Sequence, residues 1–247
     1  MNKDTILLQG IETLCKNDNE IKTLIAPNKE NIVDLLTRYI NEIELFNPAY
    51  GLVGTNDTEE LIIKHILDSL SPLGIISHLL SSLRDLRPSA SLRESLTESS
   101  EPPREPLYHP LIADAGSGAG LPGIPLAIAM PRCDFSLIER MGRRAGFLLN
   151  TKAVLSLTNI TVEESEIEKA AGGQFDLVTF RAFKPLEPKL LKTLFGLCKP
   201  DGIIAAYKGR QEKIEAETAA LTDIQWEAIP YKVPFLEEER HILVIRR

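Results

Sequence analysis

A glycine-rich run in the middle of the chain constrains the fold more than any other feature. The segment 114–125 reads DAGSGAGLPGIP, and a short apolar stretch at 111–113 precedes it. Glycine has no Cβ atom, so the backbone can turn sharply at these positions and approach a ligand closely. A loop of this kind between a β-strand and the start of a helix is typical of α/β proteins that bind a nucleotide-like cofactor. The run therefore predicts a cofactor-binding α/β domain.

Strand-like and helix-like segments alternate along the C-terminal part of the chain. Strands are predicted at 111–115, 134–139, 160–164, 175–180, 202–208, 225–233 and 240–246. Helices are predicted at 122–130, 142–157, 185–198 and 210–221. This alternation predicts a mostly parallel sheet covered by helices on both faces. The last two strands follow each other across a short connection, which predicts an antiparallel hairpin and seven strands in total.

The N-terminal part of the chain differs from this pattern. Residues 1–76 read as helical, because apolar residues between 32 and 43 recur at steps of three and four. Residues 77–110 are rich in Ser, Arg and Pro, which indicates a variable, flexible insertion. We therefore expect an N-terminal helical region at 1–76, an insertion at 77–110 and a Rossmann-like domain at 111–247.

The distribution of charge leaves room for a nucleic-acid partner. The net charge of −7 by itself argues against one. Residues 1–60, however, hold 5 Lys or Arg against 11 Asp or Glu, whereas residues 111–247 hold 18 of each. Because the domain with the glycine loop is neutral, a local basic face can form there.

The three cysteines, Cys15, Cys133 and Cys198, are odd in number and lack the spacing of metal ligands. They indicate reduced thiols in the cytoplasm and no metal site. No run of residues approaches the roughly 20 apolar residues of a membrane span, so we expect no membrane association. We also expect a monomer.

Two cofactor classes fit the glycine loop. Its segment 118–123 matches the G-x-G-x-x-G pattern of dinucleotide-binding proteins, which leaves a nicotinamide-dependent oxidoreductase open. Asp114, however, precedes the glycines and would suit a cofactor that carries an ammonium group, as S-adenosylmethionine does. Glu139, at the end of the second strand, is placed to accept hydrogen bonds from a ribose of either cofactor. The terminal hairpin favours the methyltransferase arrangement.

Several motifs then resemble one family. The run 114–125, the segment 137–148 (LIERMGRRAGFL), the triplet Arg181–Phe183, the triplet Tyr207–Gly209 and the segment 239–245 are similar to the RsmG family, also called glucose-inhibited division protein B. Upstream, the segment 65–70 (HILDSL) is similar to the N-terminal signature of this family. The resemblance implies the class I S-adenosylmethionine-dependent methyltransferase fold. It also implies methylation of guanine N7 in 16S rRNA, with the 30S ribosomal subunit as the partner.

The resemblance and the loop together nominate cofactor contacts. Gly116, Leu121, Ile167, Glu168 and Arg181 match the family's contacts, and the loop itself adds Asp114, Gly118, Gly120 and Glu139. Glu166 departs from the family, which usually has arginine at this position. This departure leaves open a third hypothesis, a methyltransferase-like RNA-binding or ribosome-assembly module with reduced catalysis.

Candidate substrate-site residues lie at strand ends and on one N-terminal helix. His65 and Asp68, three residues apart, share one side of a helix. Lys208 ends the fifth strand, at the sheet edge where ligands bind. With Arg181 they form the predicted catalytic set, in which Asp68 would help to stabilise the cationic methylated guanine. Phosphates of the RNA are expected to contact Arg143, Arg144, Lys208 and Arg240.

Overall fold

A computed structural model describes residues 2–86, 109–181, 186–219, 221 and 224–247. Seven strands form one sheet in the order β3-β2-β1-β4-β5-β7-β6. The strands are β1 (Leu111–Ala115), β2 (Asp134–Ile138), β3 (Ile160–Glu163), β4 (Phe175–Arg181), β5 (Cys198–Lys208), β6 (Gln225–Tyr231) and β7 (Arg240–Arg246). The first five are parallel, and β7 lies antiparallel between β5 and β6. The predicted mostly parallel seven-stranded sheet with an antiparallel hairpin is confirmed.

Helices cover both faces of this sheet. The N-terminal ones are α1 (Lys3–Asn17), α2 (Asn19–Ile25), α3 (Lys29–Tyr50), α4 (Thr58–Leu61), α5 (Asp68–Leu70) and α6 (Leu73–Leu86). A π-helical segment (Ile62–Leu67) joins α4 to α5. The helices between the strands are α7 (Gly123–Ala129), α8 (Gly142–Val154), α9 (Pro188–Leu197) and α10 (Gln211–Thr218).

Alternate residues of the central strands point into two separate apolar cores. Ile112 and Leu177 contact the core formed with α1–α8, whereas Ala113 and Val178 contact the core formed with α9 and α10. This period of two is the ordinary consequence of strand geometry. The N-terminal helices therefore share one face of the sheet with α7 and α8.

The helix α6 crosses the expected boundary between residues 76 and 77. It continues to Leu86 because Leu79, Leu80 and Leu83 are buried in the core at helical spacing. The first ten residues of the expected insertion are thus an ordered helix packed on the domain. Residues 87–108 of that insertion lie outside the described residues.

One helical stretch, Thr58–Asp85, is long and apolar enough to cross a membrane by length and composition, contrary to the expectation from the sequence. Of its most apolar window, 72% is buried inside the protein. The core helix of a folded protein can be equally long and apolar. The burial of Thr58–Asp85 is what a core helix shows.

Candidate active site

The carboxyl ends of the parallel strands border two cavities that meet at the glycine loop. The front cavity has a volume of about 810 Å³ and extends from the loop to the π-helical segment, the first residue of α5 and the ends of β4–β7. The rear cavity has a volume of about 400 Å³ and lies between the ends of β2 and β3. Gly116 and Arg144 line both cavities. The expected ligand edge of the sheet is therefore hollow on both sides of the loop.

The glycines of the loop are needed for different structural reasons. Gly118 adopts φ +57°, and a Cβ atom built there would meet only the Gly116 carbonyl oxygen at 4.0 Å, so this position keeps cavity space open. Gly120 adopts φ +90°, and its Cβ atom would come within 2.4 Å of the Ile124 side chain. Gly116, Gly118 and Leu121 line the front cavity. Gly120 instead lets the loop pack against α7.

Asp114 lies behind the glycine loop and lines neither the front nor the rear cavity. Its side chain is fully buried, and Oδ2 accepts a hydrogen bond of 2.9 Å from the Gly123 backbone N–H at the start of α7. Among the described residues, Oδ1 has no hydrogen-bond partner. Burial raises the pKa of this carboxyl from 3.8 to about 7, although the Gly123 N–H opposes the shift. Asp114 therefore holds the glycine loop to the start of α7 through Oδ2, and its expected contact with an ammonium group stays a prediction.

Glu139 links the loop to the rear cavity. Its Oε2 accepts from the Gly118 N–H at 2.9 Å, and its Oε1 accepts from the Met141 N–H at 2.8 Å. The carboxylate lines the rear cavity and is 4% exposed. Each oxygen retains a second lone pair, so a ribose hydroxyl can still bind there.

The predicted pair Ile167 and Glu168 also lines the rear cavity. The unusual Glu166 lies beside them and forms an exposed ion pair of 2.9 Å with Lys169. Its charge is thus turned toward a neighbouring lysine, and the backbone of the segment still borders the cavity.

Arg181 is the centre of the front cavity's polar wall. Its Nη1 donates to the Lys64 carbonyl oxygen at 3.1 Å and to Asp68 Oδ2 at 3.2 Å. Its Nη2 lies 2.9 Å from His65 Nδ1. All three groups come from the π-helical segment and the first residue of α5, so one guanidinium fastens the N-terminal helices to the end of β4.

His65 is neutral in this arrangement. A guanidinium can only donate, so Nδ1 accepts and the ring proton belongs on Nε2. Burial, reinforced by the charge of Arg181, lowers the pKa of His65 from 6.5 to about 4. The imidazole therefore positions Arg181 and carries no charge at neutral pH.

Asp68 is surrounded by donors. Besides Arg181, the Tyr231 hydroxyl donates to Oδ1 at 2.9 Å, and Arg240 Nε lies 3.5 Å from the same oxygen. The side chain is 6% exposed. This carboxylate contacts two cations and holds the cavity wall together, and its role in stabilising a cationic base stays a prediction.

Lys208 lies at the front cavity as predicted, but it is paired. Its Nζ forms an ion pair with Glu217 in the last turn of α10 and lies 5.8 Å from the centroid of the Phe180 ring. The Lys208 and Glu217 side chains are 13% and 29% exposed. The sequence does not single out Glu217 as a site residue, because α10 carries several similar glutamates.

The arginines expected to contact RNA fall into two groups. Arg144 and Arg240 line the front cavity, where Arg144 donates to the Gly51 carbonyl oxygen at 3.0 Å and Arg240 holds Asp68. Arg143 is exposed and does not border either cavity within the described part of the chain. The structure thus places two of them inside the site and one on the outer surface.

Two tyrosines that sequence reasoning missed complete the wall. The rings of Tyr207 and Tyr231 are 6.3 Å apart at 76°, and the Tyr207 hydroxyl donates to the Ser69 carbonyl oxygen at 2.8 Å. Both line the front cavity. Tyr207 precedes Lys208 in the motif at the end of β5, and this position could have identified Tyr207 as a site residue from the sequence.

The sheet order, the glycine loop after β1 and the cavities at the carboxyl edge define a class I methyltransferase fold of the S-adenosylmethionine-dependent type. The family described as rRNA small subunit methyltransferase G matches residues 90–243, and the chain belongs to this family.

Relatives of the same description extend over nearly the whole chain. A ribosomal RNA small subunit methyltransferase G of Treponema denticola is 42% identical, over 98% of this chain and 94% of the relative. The protein of that description from Cellvibrio japonicus is 32% identical, over 90% and 89%. Among solved structures, an S-adenosylmethionine-dependent methyltransferase from Aquifex aeolicus aligns with a TM-score of 0.45 at 17% identity, covering 67% of this chain and 97% of the other.

Proposed function

We propose that this protein transfers a methyl group from S-adenosylmethionine to N7 of a guanosine in 16S rRNA, within the small ribosomal subunit. The observation that carries the proposal is the front cavity, in which cationic and aromatic side chains face the cofactor loop. Arg181 and Lys208 offer charges for a phosphate or a base oxygen, and Tyr207 and Tyr231 offer ring surface. Family membership supports the same substrate.

The residues of the loop fit the cofactor. The open space at Gly118 leaves room for a ligand beside the loop, and Glu139 presents a carboxylate to the rear cavity. The rear cavity, with Ile167 and Glu168 on one side, would hold the adenosine part, and Gly116 and Leu121 would border the methionine part. S-adenosylmethionine supplies a methyl group on a cationic sulfur.

The proposed chemistry needs no general base. Guanine N7 carries an in-plane lone pair and no proton. That lone pair forms the new N–C bond while the C–S bond breaks and its electrons return to sulfur, so the positive charge passes to the base. The neutral, arginine-bound His65 agrees with this requirement. The side chains of the cavity then serve to position the base and to exclude water.

The proposal includes the cytoplasm as the place of reaction and a monomer as the active species. The three cysteines are free thiols, as a reducing compartment would leave them. Cys133 and Cys198 are buried, and burial raises the pKa of each thiol to about 12. They are therefore unreactive members of the core.

The decisive experiment incubates the purified protein with labelled S-adenosylmethionine and either naked 16S rRNA or 30S subunits. We expect label on N7 of one guanosine, located by mass spectrometry of nuclease fragments. Binding of RNA without transfer of label would favour the assembly-module hypothesis. Calorimetric binding of NADH but not of S-adenosylhomocysteine would favour an oxidoreductase.

A further inference from the structure

We propose that the ion pair of Lys208 and Glu217 recognises the target base as guanine. In this inference, which rests on the proposed function, Glu217 accepts hydrogen bonds from guanine N1–H and from the exocyclic N2 amine. Lys208 donates a hydrogen bond to O6. Glu217 is thus a specificity-determining residue of the front cavity.

Position and exposure support this role for Glu217. Two carboxylates line the described part of the front cavity, Asp68 and Glu217. Asp68 is 6% exposed and is bound by Arg181, Arg240 and Tyr231. The Glu217 side chain is 29% exposed and has an ion pair with one lysine, so it retains lone pairs that face the cavity. It is the carboxylate of this wall that can still accept hydrogen bonds from a ligand.

The order of donor and acceptor in the pair matches the edge of guanine. The Watson–Crick edge of guanine presents O6, N1–H and N2–H in sequence, which is one acceptor followed by two donors. Adenine presents the reverse order at the first two positions. Lys208 beside Glu217 offers one donor next to a carboxylate with two acceptor oxygens, and enzymes commonly read a splayed base along this edge. N7 lies on the other side of O6 and stays free to attack.

The electrostatics of the cavity lead to the same conclusion. A carboxylate in the binding site of a polyanion opposes binding unless it meets donors of the ligand. Lys64, Arg144, Arg181, Lys208 and Arg240 face the cavity together with Glu217. Lys208 offsets the charge of Glu217 through their ion pair, and the guanine donors would take over part of that role in the complex.

The test uses 16S rRNA assembled by ligation, with guanosine or inosine at the nucleotide that the wild-type protein methylates. Inosine lacks only the N2 amine and keeps N7 and O6. For the wild-type protein we expect kcat/KM to fall about tenfold or more with inosine, because one buried acceptor loses its partner. For Glu217→Gln, whose carbonyl can still bind Lys208, we expect a low kcat/KM with guanosine and almost no further loss with inosine.

The matched control is Glu212→Gln, an exposed glutamate of the same helix that should keep the wild-type ratio. Calorimetry with S-adenosylhomocysteine and thermal unfolding report whether Glu217→Gln retains the cofactor site and the fold. Equal rates of the wild-type protein on guanosine and inosine would overturn the inference, and so would an unchanged ratio in Glu217→Gln. Absence of methylation by the wild-type protein would instead overturn the proposed function.

Discussion

Nη1 of Arg181 lies 3.2 Å from Oδ2 of Asp68, although 113 residues of sequence separate them. The two side chains are 15% and 6% exposed, so solvent screens their attraction only weakly. The contact joins the end of β4 to the start of α5. It makes the N-terminal helices part of the front cavity.

Loss of the Asp68 charge should destabilise the fold. Asp68→Asn leaves Arg181 and Arg240 without their shared counter-charge, and breaking a buried pair typically costs about 3 kcal/mol or more. We expect the free energy of unfolding, measured by urea denaturation, to fall by that order. Asp34→Asn is the control, because Asp34 and Arg38 form an exposed pair at 3.6 Å that contributes about 0–1 kcal/mol. Equal losses of unfolding free energy in the two variants would contradict the role of Asp68 in holding Arg181 and Arg240.

His65 should make stability fall in mild acid. Its pKa is about 4 in the folded protein against 6.5 in an unfolded chain, so below pH 6.5 the unfolded state binds the proton first. The stabilisation is fully present above pH 6.5 and is lost as the pH falls toward 4, by about 3 kcal/mol.

The measurement is urea denaturation between pH 7.5 and 4, compared with His65→Gln, whose carbonyl can still accept from Arg181. We expect the wild-type curve to fall more steeply than that of the variant. His78→Gln, at an exposed position of α6, should follow the wild-type curve. Parallel wild-type and His65→Gln curves would show that His65 does not titrate as described.

A methyl group at Gly118 should weaken cofactor binding. Gly118→Ala places a Cβ atom in the open cavity and also strains the backbone, since φ is +57°. Gly173 provides the matched control, because it has φ +72°, has open space around it and lies away from both cavities. Both variants should lose about 1 kcal/mol of folding stability. Only Gly118→Ala should raise the Kd for S-adenosylhomocysteine, by about tenfold, in calorimetry.

Arg143 should act through phosphate contact alone. Its exposed position outside the cavities predicts that Arg143→Gln weakens RNA binding and lowers the slope of log K against log salt by about 1. Cofactor affinity should stay unchanged. Arg132→Gln serves as the control, because Arg132 is exposed just before β2, at the opposite edge of the sheet. A salt slope that is equal in the wild-type protein and Arg143→Gln would remove Arg143 from the RNA surface.

The central strands were predictable because each contains an apolar run between turn signals. β1 and β7 begin and end where the sequence placed them, and β5 starts four residues early, at Cys198, because an irregular pairing with β4 extends it. Such local patterns do not reveal how side chains meet across the sheet.

The site was only partly predictable for that reason. The sequence placed His65, Asp68 and Arg181 among the functional residues, but their mutual contacts arise from packing of the N-terminal helices on the sheet. The π-helical segment, which presents the Lys64 carbonyl and His65 to Arg181, has no recognisable sequence pattern. Asp114 likewise satisfies the expected motif, yet it points into the loop.

The Arg144–Gly51 hydrogen bond and the contacts of Arg181 mean that two parts of the chain form the front cavity jointly. The family's match begins at residue 90, whereas the wall formed by Leu52, Val53, His65 and Asp68 is encoded upstream of it. A substitution of Arg181 in β4 or of Arg144 in α8 therefore also removes a contact to the first seventy residues. The Rossmann-like half is in this respect an unsuitable module for exchange between relatives unless its own N-terminal helices travel with it.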